Sequence, residues 1–162
     1  MQNPQTDNQH LLERGCIYVA AGSGVVQTVL GSCVSVCLWD AELRCGGMNH
    51  FVYPQTTQRE LATPQYGNVA TVALLKLMRE EGCNFETMVA HIIGGGHPEG
   101  LTDSVGGRNV EVARKVLKEK GITVLSEDVG GSVGRKIMFD LASGHVAVLK
   151  VHKVRNEDWI EE

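Results

Sequence analysis

A cysteine behind a glycine–serine turn, and a histidine behind a glycine-rich run, are the residues of this chain best suited to chemistry. Leu30-Gly31-Ser32-Cys33 closes an apolar run, and Gly46-Gly47-Met48-Asn49-His50 follows it. A thiol needs help to become a thiolate near neutral pH. A nearby imidazole can take its proton and later return it to a leaving group. The turn ahead of the cysteine can present the Ser32 and Cys33 N–H groups to a developing oxyanion. These are the parts of an acyl-transfer site, and the pairing is expected to make Cys33 the most reactive of the five cysteines. An imidazole acting as base also needs a partner that fixes its tautomer. Thr28 and Gln27, on the run leading into Cys33, are the nearest polar candidates.

Plainer readings compete with each of these. Free cysteine is among the most buried residue types, so Cys33 alone reads equally as core. His50 gains meaning only as the partner of Cys33. Cys33, Cys37, Cys45 and His50 are four potential zinc ligands in a short span, but Cys37 sits inside the run Val34-Ser35-Val36-Cys37-Leu38. Four strand steps would separate the two sulfurs by about 13 Å, too far for one ion, so no metal is expected. Gly94-Gly95-Gly96 could cradle phosphate, but no Lys-Ser/Thr follows, and a tight turn beside the site is the better reading. Cys16, Cys45 and Cys83 read as packing residues, and His10, His91, His97, His145 and His152 as structural or solvated.

The elements that must position the pair are short. Valine-rich runs bounded by glycine or charge predict strands over 17–20, 25–30, 34–38, 47–52, 89–93, 122–125, 136–140 and 146–151. The last two are joined by a hairpin at Leu141-Ala142-Ser143-Gly144. Residues 54–67 have the chemistry of a long surface loop. The period then changes. Val69, Val72, Ala73, Lys76 and Leu77 form a helical stripe with Asn68 as cap and Gly82 as stop, and a second amphipathic helix spans 109–120. Strands outnumber helices without strict alternation, which predicts an α+β fold of layered sheets with flanking helices. The chain of 162 residues reads as one domain over 15–155, between a loose tail over 1–14 and an acidic tail over 156–162.

Composition narrows the function. A formal net charge of −4 argues against non-specific binding to nucleic acid or to a membrane surface. No apolar run is long enough to span a bilayer, and the N-terminus lacks the basic and apolar regions of a signal peptide. An odd number of cysteines with no export signal predicts free thiols in a reducing, cytoplasmic setting.

The segment from Thr28 to Asp40 and the Gly46-Gly47-Met48-Asn49-His50 motif closely resemble the chemoreceptor glutamine deamidase (CheD) family of bacterial chemotaxis. Further matches are the Gly94-Gly95 turn, Gly107-Arg108-Asn109-Val110, and Glu127-Asp128-Val129-Gly130-Gly131, so the resemblance runs from about Ile17 to Val151. It implies hydrolysis of receptor glutamine side chains to glutamate and ammonia, without metal or cofactor. The family's cysteine nucleophile and histidine base carry onto Cys33 and His50. Its upstream threonine carries onto Thr28, or to the position of Gln27, since the threonine stands one residue earlier in some members. The resemblance also implies a layered α/β sandwich shared with the cytotoxic necrotizing factor. Methyl-accepting chemotaxis receptors are the implied substrates, and a CheC-type phosphatase of phosphorylated CheY the implied second partner. The alternative function is a binding module for that phosphatase, with catalysis secondary. The chain departs from the family at Gly96-His97-Pro98-Glu99, where the resemblance implies a change at the substrate rim.

Overall fold

The computed structural model describes residues 9–98 and 104–151. Nine strands and two helices follow in the order β1 (Gln9–Leu11), β2 (Ile17–Ala21), β3 (Val25–Leu30), β4 (Val34–Asp40), β5 (Cys45–Asn49), α1 (Gly67–Glu80), β6 (Met88–Gly94), α2 (Val105–Glu119), β7 (Thr123–Val129), β8 (Gly134–Asp140) and β9 (Val146–Val151). A single 3-10 turn, Arg59–Leu61, interrupts the long loop after β5. Among the described residues no helix is long and apolar enough to cross a membrane.

The strands form two mixed sheets. One has the order β1-β3-β8-β9 and the other β2-β5-β4-β6-β7. Strand β4 lies at the centre of the second sheet and is buried along all seven residues. Its two faces serve different cores. Val34, Val36 and Leu38 pack with Leu74, Met78, Val110 and Leu117 of the helices. Cys33, Cys37 and Trp39 pack with Val26, Leu30, Ile137 and Phe139 of the other sheet. The layers are therefore helices, sheet and sheet, an α+β sandwich with both helices on one side. The alternation of a strand assigns each β4 side chain to one of the two cores.

The glycines of β5 let three layers meet at one strand. A methyl at Gly46 would stand 2.8 Å from the Leu141 side chain of the facing sheet, and one at Gly47 would stand 2.9 Å from Leu74 of α1.

Four sequence expectations shift. Residues 9–14, expected within a loose tail, are part of the fold. β1 pairs in parallel with β3, the Leu12 N–H bonds Gln27 O at 2.8 Å, and Leu12 is 1% exposed. The acidic tail over 156–162 lies outside the described residues. Helix α2 begins at Val105 rather than at 109, with the Ser104 hydroxyl accepting from Gly107 N at 3.0 Å. Its two early glycines hide this start, but Gly106 lies so close to the Gly95-Gly96 turn that no side chain fits. Helix α1 has no side-chain cap, and Asn68 instead bonds both the N–H and the carbonyl of Thr56 across the loop. Strand β5 stops at Asn49 because the Asn49 side chain, not the backbone, takes the Val36 N–H at 2.8 Å.

Candidate active site

The break in pairing after Asn49 is where His50 sits. Its N–H bonds Cys16 O at 3.2 Å and its carbonyl accepts from Gly15 N at 2.7 Å, so the backbone is pinned to the approach of β2. The ladder to β4 resumes at Val34 and Phe51, which exchange bonds of 3.1 and 3.0 Å. In that register Cys33 lies diagonal to His50 on the same sheet face, a spacing that side chains can bridge. Both face the layer between the two sheets, where Cys33 is 7% exposed and His50 is fully buried.

Across that layer, β3 presents Val26, Thr28 and Leu30 inward. The Thr28 hydroxyl lies 2.7 Å from His50 Nδ1 and donates its hydrogen to the Leu12 carbonyl at 2.8 Å. A hydroxyl has one hydrogen, so at His50 the threonine oxygen must accept. That puts the ring proton on Nδ1 and makes Nε2 the basic nitrogen. Of the two candidates for the orienting role, Thr28 makes this contact. Gln27 stands on the opposite strand face, cross-strand from Leu11 and Met138.

The electrostatics give a neutral pair at rest. Burial pulls the His50 imidazole down to about 4, and the Arg14 charge pushes it the same way, while the Leu12 backbone acts in the opposite sense. Burial also pushes the Cys33 thiol up, partly offset by Arg14 and by the cysteine's own N–H. Desolvation outweighs the favourable groups around Cys33, and burial raises the thiols of Cys37, Cys45 and Cys83 as well. A neutral thiol and a neutral imidazole on one sheet face are groups that general-base catalysis can use.

The cysteine loop is held by its carbonyls. Gly31 O accepts from Gly96 N and Cys33 O from Gly95 N, each at 2.9 Å. Gly94, at φ 115°, leaves room for this contact, since a Cβ there would stand 2.2 Å from Cys33 O. The Gly94-Gly95-Gly96 turn thus braces the loop that carries Cys33. Beside it a cavity of about 260 Å³ is lined by Gly31, Ser32, Gly96, His97, Ser132 and Gly134. The unusual His97 therefore stands at the rim of the space next to Ser32, while Glu99 lies outside the described residues. The far wall is tied down by Arg135, which is 2% exposed and bonds Asp128 Oδ1 at 3.1 Å, Gly130 O at 2.8 Å and Gly94 O at 3.4 Å.

The four residues weighed as zinc ligands do not converge. Cys37 packs between the sheets, whereas Cys45 packs against the helices, near Cys83. Sequence reasoning missed three contributors. Leu12 O and Arg14 lie in the segment expected to be loose, although the apolar doublet Leu11-Leu12 was a signal of an element there. Arg135 is a charged residue inside a strand, where burial is not readable from its type.

Comparisons with known proteins bear on this arrangement. A family model described as CheD, chemotactic sensory transduction, matches residues 53–150. A curated protein of Sulfurimonas denitrificans named probable chemoreceptor glutamine deamidase CheD is 40% identical over 141 residues, 85% of this chain and 90% of that one. A protein of the same name from Trichlorobacter lovleyi is 40% identical over 152 residues, 92% and 94% of the two chains. One from Rhodospirillum rubrum, also so named, is 43% identical over 140 residues, 85% and 79%. The family model starts just past His50, but the match to the T. lovleyi protein omits too few residues for Cys33 or His50 to fall outside it. Similarity at this level over nearly the full length of both chains, together with the family model, leads to one conclusion: this chain belongs to the CheD family.

Proposed function

We propose that this chain is a protein-glutamine deamidase of chemotaxis receptors, with Cys33 as nucleophile, His50 as base and acid, and Thr28 as the group that orients the imidazole. The observation that carries the reading is the chain of contacts from Leu12 O through the Thr28 hydroxyl to His50 Nδ1. It gives the ring a single tautomer with Nε2 as base, which is what thiol activation requires.

The reaction then balances with these side chains alone. The thiol proton passes to His50 Nε2 as sulfur attacks the glutamine Cδ. The oxyanion is met by the Ser32 and Cys33 N–H groups. The imidazolium, stabilised by Thr28 accepting from Nδ1, gives a proton to the departing nitrogen, and ammonia leaves. Water, deprotonated by the neutral imidazole, attacks the thioester. Glutamate forms and the thiol regains its proton. Burial of His50 keeps the ring neutral between turnovers, ready to accept. We also propose that the sandwich has the cysteine hydrolase fold of the cytotoxic necrotizing factor, a reading supported by two mixed sheets layered with both helices on one side.

The test uses the cytoplasmic fragment of a chemoreceptor, incubated with the wild-type protein or with Cys33→Ala. Peptide mass spectrometry reads conversion of glutamine to glutamate, and a coupled assay reads ammonia. Conversion at discrete glutamines by the wild type and none by Cys33→Ala supports the proposal. Equal conversion by both proteins, or none by either, overturns it.

A further inference from the structure

Asn109 lies on the buried side of α2, one turn after Gly106, and is fully buried. Its Nδ2 donates two bonds, to Ser32 O and to Val52 O, both at 3.0 Å. One acceptor is the residue just before Cys33. The other is the residue cross-strand from Cys33 in the β4 register. Two carbonyls at one nitrogen also fix which way the amide is turned, because the flipped amide would set its oxygen against both.

A trans peptide unit is planar, and its N–H points opposite to its C=O. The Ser32 carbonyl and the Cys33 N–H belong to one such unit. Holding the carbonyl toward α2 therefore aims the Cys33 N–H away from the helix, toward the cysteine's own sulfur. The lowering of the Cys33 thiol by its own backbone N–H agrees with that direction. The preceding unit is built the same way. Gly31 O is held by Gly96 N at 2.9 Å, which sets the direction of the Ser32 N–H. One donor of the pair is thus aimed by a backbone clamp and the other by a side chain.

We propose that Asn109 is a positioning residue for the oxyanion hole: by anchoring the Ser32 carbonyl it sets the direction of the Cys33 N–H that meets the tetrahedral intermediate. The proposal rests on the reading of Cys33 as nucleophile. It separates two properties that a general loss of structure would couple. Alkylation of Cys33 by iodoacetamide is a displacement at carbon and forms no oxyanion, so it reports only on the thiol and its base. Deamidation passes through the tetrahedral oxyanion and needs the aimed N–H.

Asn109→Ala, Asn109→Ser and the wild type are compared for kcat and KM on a receptor fragment, for the rate of Cys33 alkylation read by peptide mapping, and for folding by circular dichroism. Removing one oxyanion donor outright costs about 10²–10³ in kcat. A donor left present but free to turn is expected to cost Asn109→Ala roughly tenfold to a hundredfold, with KM and the alkylation rate within about threefold of wild type. Asn109→Ser, which keeps one donor, is expected to fall between. Parallel loss of kcat and alkylation, a rise in KM alone, or unchanged kcat would each overturn the proposal. If Asn109→Ala does not fold, Asn109→Ser decides on the same readouts. Cys33→Ala runs alongside. Persistent deamidation there would overturn the nucleophile instead, an outcome distinct from any result at Asn109.

Discussion

Thr28→Val removes one oxygen and preserves the shape of the side chain. The wild-type hydroxyl makes two contacts at full burial, 2.8 Å to Leu12 O and 2.7 Å to His50 Nδ1. Valine leaves a buried carbonyl and a buried ring N–H without that partner. Each such loss costs about 1–3 kcal/mol, and the added methyl returns under 1 kcal/mol, so a stability loss of about 1–5 kcal/mol is expected. The kinetic effect arises separately. In the transition state the ring is an imidazolium, and a hydrogen bond from a charged group contributes about 1.5–3 kcal/mol. At about 1.4 kcal/mol per decade, kcat falls roughly tenfold to a hundredfold. KM stays near wild type, because Thr28 is buried beneath the imidazole and lines no part of the cavity beside Ser32. Urea unfolding measures the first quantity and steady-state deamidation of a receptor fragment the second. Gln27→Ala is the control and keeps kcat. Full kcat in Thr28→Val together with a large loss in Gln27→Ala would refute the assignment and move the orienting role one residue upstream.

His50 links acidity to stability. Its imidazole titrates near 6.5 when unfolded and at about 4 in the fold, so the unfolded chain binds the proton first. The stabilisation from keeping this ring neutral is complete above pH 6.5. It is lost as the pH falls toward 4, by about 3 kcal/mol in all. The difference in unfolding free energy between the wild type and His50→Gln, measured from pH 7 to pH 4, isolates that slope, and a flat difference would contradict it. Arg135→Met should lower stability by about 2–4 kcal/mol, since it strips a buried guanidinium from Asp128 and three backbone carbonyls. It should also raise KM, because the cavity wall at Ser132 and Gly134 loses its tie. Unchanged denaturation midpoint and KM would show the clamp to be idle.

Much of the candidate site was legible because its residues are declared by local spacing. A cysteine after Gly-Ser and a histidine after Gly-Gly-Met-Asn need no knowledge of distant elements to be noticed. Eight strands and two helices were legible for the same reason, since their periods repeat within a few residues. What sequence left hidden depends on contacts between distant segments. Thr28 and Gln27 are neighbours in the chain but stand on opposite faces of β3, and only the facing sheet decides which one meets His50. The doublet Leu11-Leu12 hinted at an element, but nothing local announces that the Leu12 carbonyl accepts from the Thr28 hydroxyl sixteen residues away. The start of α2 was missed because Gly106 and Gly107 weaken helical propensity, while the close approach of Gly106 to the Gly95-Gly96 turn requires a residue without Cβ. The raised pKa of the Cys33 thiol was hidden too, because burial is a property of the assembled sandwich.

The central claim is that Cys33 carries the acyl group between ammonia release and hydrolysis. Rapid mixing of the protein with a receptor fragment, an acid quench within one turnover, and peptide mapping by mass spectrometry test it directly. The account predicts a thioester between the substrate's former glutamine and Cys33, absent at Cys16, Cys37, Cys45 and Cys83, and absent from His50→Ala. Glutamate accumulating with no adduct at Cys33, or with an adduct at another cysteine, would contradict it.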